Sequence, residues 1–136
     1  MFLVSACLAG CPCRYDGKDN AREDIVSLVR EGKAIPLCPE QLGGLCTPRL
    51  PCERVEDGRV LCRDGSDKTE NFSRGAQAVL ALCQRYEIKT AILKARSPSC
   101  GAGMIYDGTF SGTLREGEGL CAQLLRQNGI EVLCRD

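Results

Sequence analysis

Four short apolar runs punctuate the chain: Phe2–Ser5, Ala34–Leu37, the segment around Ala91, Ile92 and Leu93, and Ile130–Leu133. Each is too short for a helix and too uniformly apolar for a half-exposed strand, so each reads as a strand buried on both faces. Helical periodicity lies between them. Residues 20–30 carry Ile25, Val26, Leu28 and Val29, with Asp19 or Asn20 as the cap and Glu31–Gly32 as the stop. From Asp67 or Thr69 onward, Phe72, Ala76, Val79, Leu80 and Cys83 recur at three- and four-residue steps, and residues 119–127 form a last helix. Strands that alternate with helices pair in parallel through right-handed crossovers. The expected fold is α/β, one domain spanning residues 1–136. It is a short parallel sheet of about four strands with helices on both faces, Rossmann- or flavodoxin-like. Asp57–Gly58 between two short alternating runs predicts a β-hairpin insertion. Gln41–Pro51 reads as a loop, and Tyr106–Phe110 as a loop or small hairpin.

In such sheets ligands bind at the carboxyl ends of the strands. Cys7 follows the first run, Cys38 the second, and Cys100 lies a few residues beyond the third. Three thiols distant in sequence therefore converge on one rim. Thiolates so placed suit a soft metal or an iron–sulfur cluster. Cys134 also follows a strand, so order alone does not choose three ligands from four. A set of four would suit zinc or a closed electron-transfer cluster, whereas three would leave one metal position open to substrate. Glu40 brings a carboxylate to the same rim, and Ser97 and Ser99 bring hydroxyls. The Arg14–Gly17 turn adds a cation at Arg14 and a carboxylate at Asp16.

Composition narrows the chemistry. The chain has no histidine, which removes imidazole as a base, mixed Cys/His zinc sites and histidine-ligated haem. Its 11 cysteines are odd in number, so they do not all close into internal disulfides. Lys+Arg and Asp+Glu both count 18, and this balance argues against a nucleic-acid backbone as partner and for a small neutral substrate. The apolar start, Met1–Ala6, is too short for a secretory leader and has no preceding Lys or Arg. No stretch reaches membrane-spanning length, and a cytoplasmic location is expected.

Several strings occur together and in order. They are Ser5-Ala6-Cys7-Leu8, Arg14-Tyr15-Asp16-Gly17, Cys38-Pro39-Glu40-Gln41-Leu42-Gly43-Gly44 and Thr47-Pro48-Arg49, then Lys94 through Gly101 and Tyr106-Asp107-Gly108-Thr109-Phe110. Over nearly its whole length the chain resembles the 2-thiouracil desulfidases. The resemblance implies a [4Fe–4S] cluster held by Cys7, Cys38 and Cys100, with one iron open to the thiocarbonyl sulfur of a thiolated pyrimidine. It further implies Glu40 as proton shuttle and Ser99 as a second catalytic group, with uracil and sulfide as products and no net redox change. Arg14, Asp16 and Ser97 are candidate substrate contacts.

Plainer roles stand beside these. Cys83 and Cys121 fall on apolar helix faces and read as core thiols. Cys62 and Cys134 suit strand ends, and Cys13 suits a place beside the site rather than in it. Cys11, Cys46 and Cys52 depart from the family's strings, and so does Ala9. Glu40 could instead pair with Arg49, and Lys94 and Arg96 could form surface ion pairs. A structural zinc module, or a closed cluster serving an interaction role, remains the alternative to an enzyme. A metal-free persulfide sulfurtransferase is a further one. Residue pattern says nothing about oligomeric state.

Overall fold

A computed structural model describes residues 1–136. Four parallel strands form the central sheet: β1 (Phe2–Ser5), β2 (Ala34–Leu37), β5 (Thr90–Lys94) and β8 (Glu131–Arg135), in the order β2-β1-β5-β8. The four helices are α1 (Glu23–Arg30), α2 (Pro39–Leu42), α3 (Thr69–Arg85) and α4 (Leu120–Gln127). Two antiparallel hairpins complete the chain, β3 (Cys52–Arg54) with β4 (Val60–Cys62) and β6 (Met104–Tyr106) with β7 (Leu114–Glu116).

Alternation along the strands sorts side chains between two layers. Leu3, Ala91 and Leu93 face α3 and α4, where Ala76, Val79, Cys83, Cys121, Ala122 and Leu125 meet them in the larger core. Ile35 and Val132 extend that face at the sheet's two edges. On the other face Val4 and Ala34 pack with Leu8 and with Ile25 of α1. Helices thus cover both faces, as the sequence predicts. Cover on the α1 side stops short of β8, where Leu133 is 44% exposed. The chain moves from β1 outward to β2, then crosses back to β5 on the other side of β1. This reversal opens a crevice above the carboxyl ends of β1 and β5, the position where such sheets hold ligands.

Local chemistry shifts several expected boundaries. The first helix begins at Glu23 rather than Asn20, with Arg22 as its cap residue. Asn20 is drawn away: its N–H donates to Cys7 O at 2.9 Å and its Oδ1 accepts from Arg14 Nη1 at 3.0 Å. The 41–51 segment is not all loop, because Pro39 opens a single helical turn, α2, directly after Cys38. The hairpin turn does form at Asp57–Gly58, with Gly58 at φ 94°. Its strands lie farther out than expected, pairing Cys52 with Cys62 and Arg54 with Val60.

The turn of α2 is held in place by a close backbone approach. Its Pro39 carbonyl lies where a Cβ on Gly75 of α3 would stand. Gly75→Ala is therefore expected to push α2 off α3 and to destabilise the fold by about 1–3 kcal/mol. Urea unfolding checks it, and an unchanged midpoint would mean that α2 yields freely.

Candidate metal centre

Each of the three rim cysteines is fixed by the turn that ends its strand. Cys7 lies in a 3₁₀ turn, Ala6–Ala9, directly after β1, and Gly10 closes that turn at φ 94°. Cys38 is the residue from which α2 starts, and its carbonyl accepts from Leu42 N–H at 3.0 Å. Cys100 sits in a turn beyond β5 that Ser97 ties together. Ser97 Oγ accepts the N–H groups of Ser99 at 3.1 Å and Cys100 at 3.0 Å. The turn is then docked on α4, whose Cys121 and Ala122 N–H groups donate to Ser99 O at 2.9 and 3.1 Å. Gly119, at the start of α4, lies against the Ser99–Cys100 peptide, which leaves no room for a side chain. All three thiols line one cavity of about 790 Å³.

The donor set around the thiols suits thiolate ligands. The Asn20 amide and the Leu8 N–H lie beside Cys7 and favour its thiolate. The Cys13 thiol and the Gln41 N–H do the same for Cys38. The Ser5 hydroxyl stands beside Cys100, and Ser99 Oγ lies 3.6 Å from its Sγ. Burial pushes the Cys7 thiol up and Cys100 up to about 12. The Cys13 hydrogen bond instead lowers Cys38 to about 7 and raises Cys13 itself. Buried thiols of this kind become thiolates when metal takes the place of the proton. Meanwhile no three Cys, Asp or Glu side chains crowd together as a single ion requires, which for thiolates on zinc means sulfurs about 4 Å apart. Ligands borne on separate irons of a cluster stand farther apart. Three thiols on the wall of one cavity, each beside a hydrogen-bond donor that favours its thiolate, are residues that could hold a cluster.

Glu40 and Ser99 meet in the same cavity. Ser99, 1% exposed, donates from Oγ to Glu40 Oε2 at 2.9 Å, and the Ser97 hydroxyl stands 2.9 Å from Ser99 Oγ. Because Ser99 gives its proton to the carboxylate, Ser97 is the donor in the second contact. The other carboxylate oxygen, Oε1, accepts from Arg49 Nε at 3.2 Å and lies 3.1 Å from Nη2. Both partners are largely buried, with side chains 16% and 8% exposed. Arg49 is itself anchored on Cys13 O at 2.9 Å and Thr47 Oγ1 at 3.0 Å. Glu40 thus both pairs with Arg49 and contacts Ser99.

The remaining candidates divide. Arg14 lines the cavity, held by Asn20 and by Asp16 at 3.0 Å. Asp16 does not line it; its carboxylate instead accepts from Arg14 and from Lys18 N–H at 3.0 Å, closing the turn. Ser97 lines the cavity, but its hydroxyl is spent on the backbone of the Cys100 turn and on Ser99. Lys94 and Arg96 both pair with Asp136, at 3.2 and 2.6 Å. Cys134 lies exposed on β8 away from the cavity, whereas Cys13 and Cys52 do line it. Sequence reasoning missed Asn20 and Ser5 as thiolate donors. The only signal for either was nearness to Cys7 in the chain or the string Ser5-Ala6-Cys7.

Residues 2–136 match the family model described as 2-thiouracil desulfurase. A protein of Bacillus subtilis (strain 168), described as uncharacterized protein YbbK, is 45% identical over 142 residues, covering 98% of this chain and 94% of its own. The solved structure of a [4Fe-4S]-dependent thiouracil desulfidase, TudS, superposes with a TM-score of 0.93 at 46% identity, covering 99% of this chain and 90% of that one. No helix of the chain is long and apolar enough to cross a membrane. With a family model matched across nearly all of its length and relatives above 40% identity, the chain belongs to the 2-thiouracil desulfurase family.

Proposed function

We propose that the chain removes sulfur from a thiolated pyrimidine of the 2-thiouracil type, releasing uracil and sulfide without net redox change. The observation that carries this reading is the meeting, in one cavity, of three rim thiols with the Ser99–Glu40 contact. Cys7, Cys38 and Cys100 hold a [4Fe–4S] cluster. When bound, it supplies an iron without a protein ligand, a Lewis acid for the thiocarbonyl sulfur that makes the ring carbon electrophilic. Glu40 takes a proton from the water that adds to that carbon, and later returns it to the departing sulfur or the ring. Arg49 holds the carboxylate in place through Oε1, leaving Oε2 to Ser99. Ser99 carries the proton path one step further, to Ser97. Arg14, with Asp16 fixing its orientation, presents a cation to the pyrimidine's carbonyl edge. The TudS likeness supports both the cofactor and the substrate class.

The test is anaerobic. Protein reconstituted with iron and sulfide is expected to bind about four of each per chain and to release sulfide from 2- or 4-thiouracil. Chelation of the iron should abolish that release. A colourless protein with one zinc per chain, or sulfide release that survives chelation, would sink the proposal.

A further inference from the structure

Outside the three rim cysteines, the chain carries a pair of thiols set directly opposite each other. Cys52 of β3 and Cys62 of β4 are register partners in the antiparallel hairpin. The flanking bond, Arg63 N–H to Pro51 O at 3.1 Å, makes theirs a non-hydrogen-bonded pair. In such pairs the side chains stand closest, with Cα atoms about 4.5 Å apart. That lies inside the Cα range of disulfides, at its short end. Burial and the neighbouring Cys62 thiol push the Cys52 thiol up, its Sγ donates to Leu50 O at 3.8 Å, and both cysteines are free. Cys62 is only 5% exposed, whereas Cys52 opens onto the cavity wall. Their hairpin is a sheet of its own, separate from the parallel sheet whose strand ends carry Cys7, Cys38 and Cys100.

We propose that Cys52 and Cys62 form a reversible dithiol–disulfide site in the cavity wall, closed by exchange with a low-molecular-weight disulfide such as oxidised glutathione. Cys52, the thiol that reagents reach, gives its proton to water and attacks one sulfur of the reagent. The reagent's S–S bond breaks, one thiolate leaves, and a mixed disulfide forms on Cys52. Cys62 gives its proton to the departing thiolate and attacks the Cys52 sulfur, expelling the second thiolate, which takes a proton back from water. Two electrons pass from the cysteine pair to the reagent, and one protein S–S bond replaces the reagent's own. A bond at the short end of the Cα range is strained and readily reduced, so the site reopens with excess thiol. Closure removes the Cys52 thiol from the cavity and staples the hairpin to itself. This inference does not rest on the proposed reaction, because its readout is covalent.

The cluster-loaded protein is treated anaerobically with oxidised glutathione, denatured in an alkylating reagent and digested with trypsin. Cleavage after Arg49, Arg54, Arg59 and Arg63 separates residues 50–54 from 60–63. The expected product is these two peptides joined by a disulfide and released by dithiothreitol. In Cys62→Ala the mixed glutathione adduct on Cys52 should accumulate at least about tenfold above wild type, because no partner resolves it. Wild-type Cys52 holding as much adduct as the variant would overturn the proposal. So would recovery of both wild-type thiols alkylated as in untreated protein.

Discussion

Cys100→Ala is expected to leave a folded chain that loads little iron and releases sulfide at least about 10³-fold more slowly, the scale of several kcal/mol of Lewis-acid stabilisation. Cys100 is 4% exposed and packs into the larger core, so its replacement also removes a buried sulfur. Packing and ligation therefore have to be separated. Cys83 and Cys121 serve as the comparison, since both are 0% exposed in the same core and neither lines the cavity. Cys83→Ala and Cys121→Ala should lower the unfolding midpoint at least as much as Cys100→Ala. They should nonetheless retain native iron content and turnover. Iron analysis, urea unfolding and anaerobic sulfide release on the three variants decide the matter. If Cys100→Ala turns over at the native rate, Cys100 is only a core thiol and the assignment of the centre fails.

The fold and the thiol rim were legible because both depend on residue order. Four apolar runs separated by helical periods allow few topologies, and each rim cysteine follows its strand within a few residues. The cavity's polar lining was less legible because short polar side chains face a local choice. Asp16 and Ser97 lie in tight turns, where a carboxylate or hydroxyl bonds nearby backbone N–H groups as readily as a ligand. Arg49 shows the opposite problem. Its string was visible, but its grip on Cys13 O and Thr47 Oγ1 depends on how the 43–51 segment folds over α2. Hairpin register was hardest of all. A two-residue Asp57–Gly58 turn would set Cys52 opposite Arg63. The five-residue loop actually formed, with Asp57 bonding Arg59, sets it opposite Cys62. A slip of one residue decides whether two thiols meet.

Glu40→Gln tests the proton path with little change of shape. The carboxylate now accepts from Arg49 on one oxygen and from Ser99 on the other. A glutamine can keep its oxygen toward Arg49 and turn its amide N–H toward Ser99 Oγ, so each neighbour retains a partner. What disappears is the carboxylate, and with it the group that takes up and returns the proton. Turnover is expected to fall by about 10²–10⁴, the usual weight of general acid–base catalysis, while iron content stays native. Glu40→Ala should lose the same turnover and also destabilise the chain, because the Arg49 guanidinium, 8% exposed, is left without its counter-charge. Breaking one side of a buried pair costs about 3–5 kcal/mol. The remaining carbonyl and hydroxyl acceptors on Arg49 place this case at the lower end. The two variants thus separate chemistry from scaffolding: glutamine restores the unfolding midpoint and alanine does not, yet neither restores the rate. A Glu40→Gln protein with native turnover would reduce Glu40 to the anchor of Arg49. The proton would then have to come from Ser99, whose hydroxyl lies beside Cys100 in the cavity.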